Sequence, residues 1–128
     1  MRLLIVFRLK KIIIPSSVIK IEIYAFKKCL SLKELIIPDS INVIDKFVFG
    51  DCSSLRKICI PSSITKIDMY AFKGCCSLKN ITIPSSVILI RRYAFKNCES
   101  LEEASISNET SVDEQAFEGC PLIQIKKS

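Results

Sequence analysis

Hydrophobic and polar positions along this chain follow one long period. Leu9, Leu32, Leu55, Leu78 and Leu101 are spaced by 23 residues. Pro15, Pro38, Pro61 and Pro84 keep the same interval, as do Phe26, Phe49, Phe72 and Phe95. Cys29, Cys52, Cys75 and Cys98 form a further register, and Phe117 and Cys120 follow after 22 residues, one deletion in the last unit. The unit reads Leu-x-x-Ile-x-Ile-Pro-x-Ser-Ile/Val-x-x-Ile-x-x-Tyr-Ala-Phe-x-x-Cys-x-x. Complete copies start at Leu9, Leu32, Leu55 and Leu78, and a degenerate fifth starts at Leu101, with Ser107 for the proline and Glu109 for the serine. A partial sixth spans Leu122 to Ile125, and at the front Leu3 falls in the phenylalanine register and Val6 in the cysteine register.

The spacing predicts the elements. Leu-x-x-Ile-x-Ile sets apolar side chains at alternate positions of a short strand, pointing inward. Proline ends the strand because it has no N–H for the ladder, and the serine two residues later is placed to hold the bend. The next Ile, the Ala-Phe pair and the Cys refill the interior on an irregular or short-helical return path. A unit of this length cannot bury its apolar face alone, but stacked units can. The expectation is a right-handed leucine-rich-repeat solenoid of five to six coils, one short parallel strand per coil, over residues 1–128 as a single domain. With strands roughly 4.8 Å apart, five coils span about 25 Å.

Residues 60–75, Ile-Pro-Ser-Ser-Ile-Thr-Lys-Ile-Asp-Met-Tyr-Ala-Phe-Lys-Gly-Cys, carry a family resemblance. The segment resembles the BspA-like leucine-rich repeat, also called the Treponema pallidum type, and the likeness runs from about Leu3 to Ile125. The resemblance implies a surface-exposed repeat protein of anaerobic bacteria or of protists, binding host matrix proteins or cells in some members. Two departures stand out. The family usually has glycine after the Ile that precedes Ala-Phe, where this chain has Glu22, Asp45, Asp68, Arg91 and Asp113. A left-handed backbone there would strain these residues, so ordinary backbone is expected. No capping sequence is recognisable at either end, which fits a fragment of a longer array or a short member of one, with self-association through open coil ends.

Composition narrows the function. The chain has 128 residues, 49% apolar and 25% charged, a globular balance, and it contains no histidine. That absence removes Ser/His and Cys/His catalytic arrangements and His-ligand metal sites together. Nothing resembles a glycine-rich phosphate loop, so no enzyme activity, small-molecule substrate or cofactor is expected. Residues 1–98 carry 17 Lys and Arg against 6 Asp and Glu, whereas residues 99–128 carry 2 against 7. The basic body could attract anionic partners. The cations are spread over coils, as doublets such as Lys10-Lys11, Lys27-Lys28 and Arg91-Arg92, and this pattern argues against nucleic acid. Tyr24, Phe47, Tyr70 and Tyr93 share a register and are expected to pack on the core rather than stack on bases. No apolar run is long enough for a membrane span or a signal-peptide core, which favours the cytoplasm, whereas the family resemblance favours the cell surface.

Five of the seven cysteines form one register, read as reduced buried filler. A column of parallel side chains is poorly aimed for disulfides and cannot surround a metal ion. Cys59 and Cys76 fall outside that register and are candidate exposed thiols. Two glycosylation tripeptides occur, at Asn80 and Asn108.

The outward side of the strands is the candidate binding surface. One column is Lys11, Glu34, Lys57, Asn80 and Glu103, and its neighbour is Ile13, Ile36, Cys59, Thr82 and Ser105. Lys10, Lys33, Arg56, Lys79 and Glu102 flank them. These positions differ from coil to coil while the core positions repeat, and a protein or glycan ligand is the expected partner. The other reading of the same residues is an intracellular scaffold or structural array.

Overall fold

The computed structural model describes residues 10–128, so the Leu3 and Val6 registers lie outside the described residues. The chain winds into a stack of coils. One row of strands is β1 (Lys11–Ile13), β2 (Glu34–Ile36), β4 (Lys57–Cys59), β6 (Asn80–Thr82), β8 (Glu103–Ile106) and β10 (Gln124–Lys127), paired as two sheets, β1-β2-β4 and β6-β8-β10. A second is built from β3 (Val43–Ile44), β5 (Lys66–Ile67), β7 (Leu89–Ile90) and β9 (Ser111–Val112). All pairings are parallel, and each joins equivalent positions of successive coils, such as Leu35 to Ile58 and Ile67 to Ile90. The partial sixth repeat is real structure, since β10 pairs with β8.

The return path differs from the short-helical alternative. Among the described residues it holds no helix; it contains the second ladder followed by a run of tight turns. Ile67, Ala71 and Cys75 keep a spacing that would suit a helix, but left-handed residues interrupt the segment and a right-handed helix does not contain them. Two registers of this segment are left-handed. Tyr24, Phe47, Tyr70 and Tyr93 have φ of 67°, 58°, 62° and 62°. Lys28, Asp51, Asn97, Gly74 and Gly119 follow in the register before the cysteine. Asp45 and Asp68, in the family's glycine position, are absent from the positive-φ set, so that site is ordinary backbone here.

The interior is a set of columns. Phe26, Phe49, Phe72, Phe95 and Phe117 stack with ring centroids 5.6, 5.4, 5.1 and 5.0 Å apart. The five column cysteines are free and buried. Each thiol after the first donates to the phenylalanine carbonyl of the preceding coil: Cys52 to Phe26 at 3.1 Å, Cys75 to Phe49 at 3.4 Å, Cys98 to Phe72 at 3.2 Å and Cys120 to Phe95 at 3.0 Å. They are thus hydrogen-bond donors as well as filler. Burial pushes the Cys75 thiol well above its ordinary range.

The serines also reach across coils rather than holding their own bend. Ser40, Ser63 and Ser86 donate to the carbonyls of Val18, Ile41 and Ile64 at 2.5, 2.7 and 2.7 Å. The bend itself is closed by backbone, from Ile64 N–H to the Pro61 carbonyl for example. In the fifth coil, where Glu109 stands for the serine, buried Thr110 moves into the role and donates to the Val87 carbonyl at 2.7 Å.

Candidate functional site

The strand face carries the predicted columns outward. Lys11, Ile13, Lys57, Cys59, Asn80 and Thr82 are exposed, and Glu34, Ile36, Glu103 and Ser105 are half-buried. The flanking Lys10, Lys33, Arg56, Lys79 and Glu102 are all exposed. Register aligns Lys11 with Glu34 and Glu34 with Lys57, and aligns Asn80 with Glu103. The aligned Lys11 and Glu34 form an ion pair at 3.9 Å, and Lys126, two residues beyond the partner of Glu103, reaches that carboxylate at 3.3 Å. Both are solvent-accessible and contribute at most about 1 kcal/mol each.

The face is two half-sheets, β1-β2-β4 and β6-β8-β10, with no pairing between β4 and β6. The coils do not separate there, because β5 and β7 remain paired in the second ladder. The split shows in the core: Ile58 is only half-buried, whereas Ile12, Leu35, Ile81 and Ala104 in its register are buried. A groove of about 420 Å³ opens at the split, lined by Arg56, Lys57, Cys59, Asn80, Thr82 and Pro84 among others.

Backbone hydrogen bonds locate the change. At three of the four intact junctions two consecutive N–H groups converge on one carbonyl of the coil before, and at the fourth Gln124 alone donates to Glu102. Lys33 and Glu34 donate to Lys10, Arg56 and Lys57 to Lys33, and Glu102 and Glu103 to Lys79, all between 2.7 and 3.3 Å. Lys79 and Asn80 make no such bond to the Arg56 carbonyl.

Two features of the opposite path were missed by the sequence reasoning. Asp68 is 2% exposed. Lys66 and Lys46 lie 3.5 and 3.7 Å from its Oδ2, Arg91 Nε lies 4.0 Å from its Oδ1, and the Met69 N–H donates to Oδ1 at 2.7 Å. Burial acts to raise its pKa, but the Met69 N–H and the three cations outweigh it and hold the carboxyl below the usual value. The signal was present but scattered over three coils, and only stacking gathers it.

The second is the aromatic register. Tyr24, Phe47, Tyr70 and Tyr93 pack on one another with centroids 5.1, 4.6 and 5.3 Å apart, forming a stack nearer the surface than the phenylalanine column. Lys27 sits 5.0 Å from the Phe47 ring, and Lys96 and Arg92 sit 4.5 and 4.7 Å from Tyr93. The ring faces are thus largely taken by one another and by cations. Of the two cysteines outside the column, Cys59 is exposed and Cys76 half-buried, with its thiol donating to Gly74 at 3.2 Å.

A stack of coils with a short parallel strand, a proline stop and a phenylalanine–cysteine core in each repeat defines a leucine-rich-repeat protein. The chain belongs to the BspA-type leucine-rich repeat family, whose model matches residues 6–124 in six copies. Solved structures agree. A leucine-rich cell surface protein from Faecalibacterium prausnitzii is 35% identical with a TM-score of 0.86, covering 93% of this chain and 32% of its own. The Treponema pallidum leucine-rich repeat protein is 27% identical with a TM-score of 0.86, covering 91% of this chain and 57% of its own. The pneumococcal vaccine antigen PcpA, at 24% identity, a TM-score of 0.76 and coverage of 93% and 31%, shares the fold. The chain therefore spans from just under a third to somewhat over half of the length of these proteins. No curated protein sequence matches it. Among the described residues no helix is long and apolar enough to cross a membrane.

Proposed function

We propose that this chain is a non-enzymatic recognition module that binds a protein or glycan ligand, such as a host cell or matrix component, through its outward strand face. The observation that carries the reading is the contrast between a core repeated coil after coil and outward strand columns whose residues vary between coils. Lys10, Lys33, Arg56 and Lys79 give that face an exposed cationic row, ending at Glu102. The likeness to a cell surface protein supports recognition outside the cell. Variation on a rigid scaffold is how repeat proteins encode partners.

The test is binding to immobilised matrix proteins and to intact host cells, comparing the wild type with a variant carrying Lys11→Glu, Lys33→Glu, Arg56→Glu and Lys79→Glu. All four residues are exposed, so the fold is expected to survive. Loss of binding supports the face. Equal binding by both proteins removes it from the account.

A further inference from the structure

The break between β4 and β6 falls where the cationic row is densest. At the junctions between described coils, Lys79 and Asn80 are the one pair in this register with neither N–H bonded to the coil before. Both residues are exposed, and the exposed Arg56 and Lys57 line the groove together with Asn80. Adjacent unpaired N–H groups make a concavity of positive potential that favours an anion. A guanidinium beside them adds a planar fork suited to a carboxylate.

Geometry limits what can enter. Cα atoms of β4 and β6 still approach within 8 Å. A strand inserted between them would need about 9.6 Å, twice the ordinary strand spacing. The opening therefore excludes an added strand, so only a group reaching in from the face can meet these N–H groups.

We infer that the split is a recognition slot for the carboxylate of an Asp or Glu in an extended acidic peptide laid across the strand face. The Lys79 and Asn80 N–H groups and the Arg56 guanidinium bind the carboxylate oxygens. Lys57 neutralises the charge, and Lys33 and Lys79 in the rows on either side attract further acids of the same peptide. Asn80 and Thr82 supply polar contacts along the wall. Exposed cations recurring at one-coil intervals, Lys33, Arg56 and Lys79, favour an extended chain that carries several carboxylates, which a peptide rich in Asp or Glu supplies. The inference rests on the strand face being the recognition surface and goes further by naming the point of contact and its chemistry.

The experiment is fluorescence anisotropy with a labelled peptide of alternating Glu and Ser, its Gln–Ser counterpart as the neutral control, and a heparin oligosaccharide as competitor, at low salt. Amide resonances of the protein are followed in parallel. The Glu peptide is expected to bind about tenfold more tightly than the Gln peptide, the range of charge-assisted hydrogen bonds. Arg56→Gln with Lys57→Gln is expected to lose most of that preference, while Lys10→Gln with Lys11→Gln, two coils away, retains it. The Lys79 and Asn80 amide resonances are expected to move on titration. Equal losses in the two double variants, or unmoved Lys79 and Asn80 resonances, overturn the slot while leaving the face intact. Unchanged binding in both variants overturns slot and face together. Displacement by the heparin oligosaccharide at lower concentration than by unlabelled Glu peptide overturns the peptide as occupant.

Discussion

Two aromatic stacks run the length of the solenoid, two residues apart in sequence, and they are held by different means. Phe49, Phe72 and Phe95 are fully buried on ordinary backbone. Phe47, Tyr70 and Tyr93 are half-buried on left-handed backbone, and Tyr24 at the end of the row is 53% exposed. Left-handed backbone costs a residue with a Cβ roughly 1–2 kcal/mol. Ring stacking returns about 0.5–1.5 kcal/mol beyond area burial. The inner stack is therefore set by volume, and the outer one by a near balance of backbone strain against stacking and cation contacts. Identical spacing does not mean identical energetics.

Phe72→Ala separates the stacks most strongly. It should cost about 3–5 kcal/mol by denaturant unfolding, because the buried ring leaves a cavity between Phe49 and Phe95. Phe72→Gly should be worse still, by about 0.5–1 kcal/mol, since this backbone has no use for glycine. A change below about 1 kcal/mol in Phe72→Ala would remove the inner column from its central place.

Asp68, one turn before Tyr70, sharpens the comparison on the charged side. Asp68→Asn should cost about 1–3 kcal/mol near neutral pH, the range for charge-assisted hydrogen bonds. Its folded pKa lies below the unfolded value of 3.8. The stabilisation is complete above about pH 4 and is lost as pH falls through the depressed folded value. Melting temperature followed from pH 6 to pH 2 should fall more steeply in the wild type than in Asp68→Asn. Parallel curves would deny Asp68 that role.

The smallest effect reverses the inner order. Tyr70→Ala should cost about 1–2 kcal/mol, the lost stacking with no relief of the left-handed backbone. Tyr70→Gly should be about 1 kcal/mol more stable than Tyr70→Ala, because glycine takes φ of 62° freely. Calorimetry on the four variants tests the inversion: alanine better at 72, glycine better at 70. The same order at both sites would erase the distinction between the stacks.

The periodic part of this architecture was legible because several residue types keep step. Leu, Pro, Phe and Cys registers specify coil length, strand position and the buried columns, and the outward columns followed by alternation. The second ladder was not legible, since two-residue strands such as Lys66–Ile67 are too short to show a period. Neither was the split face: Arg56, Lys57, Ile58 and Cys59 fit the repeat as well as their counterparts do. Asp45 and Asp68 share a register, yet only Asp68 is buried, which depends on Lys46, Lys66 and Arg91 meeting from three coils. Such properties belong to the junctions between repeats, and a repeat read by itself does not contain them.

The thiol and serine ladders have a direction. Cys52, Cys75, Cys98 and Cys120, like Ser40, Ser63, Ser86 and Thr110, all donate to the coil that precedes them. During synthesis, the earlier coil thus offers its carbonyls before the donors that will meet them have left the ribosome. The backbone of the return path runs the other way, the Phe26, Phe49, Phe72 and Phe95 N–H groups donating to Val48, Ala71, Ala94 and Ala116 of the next coil, so every junction is tied from both sides.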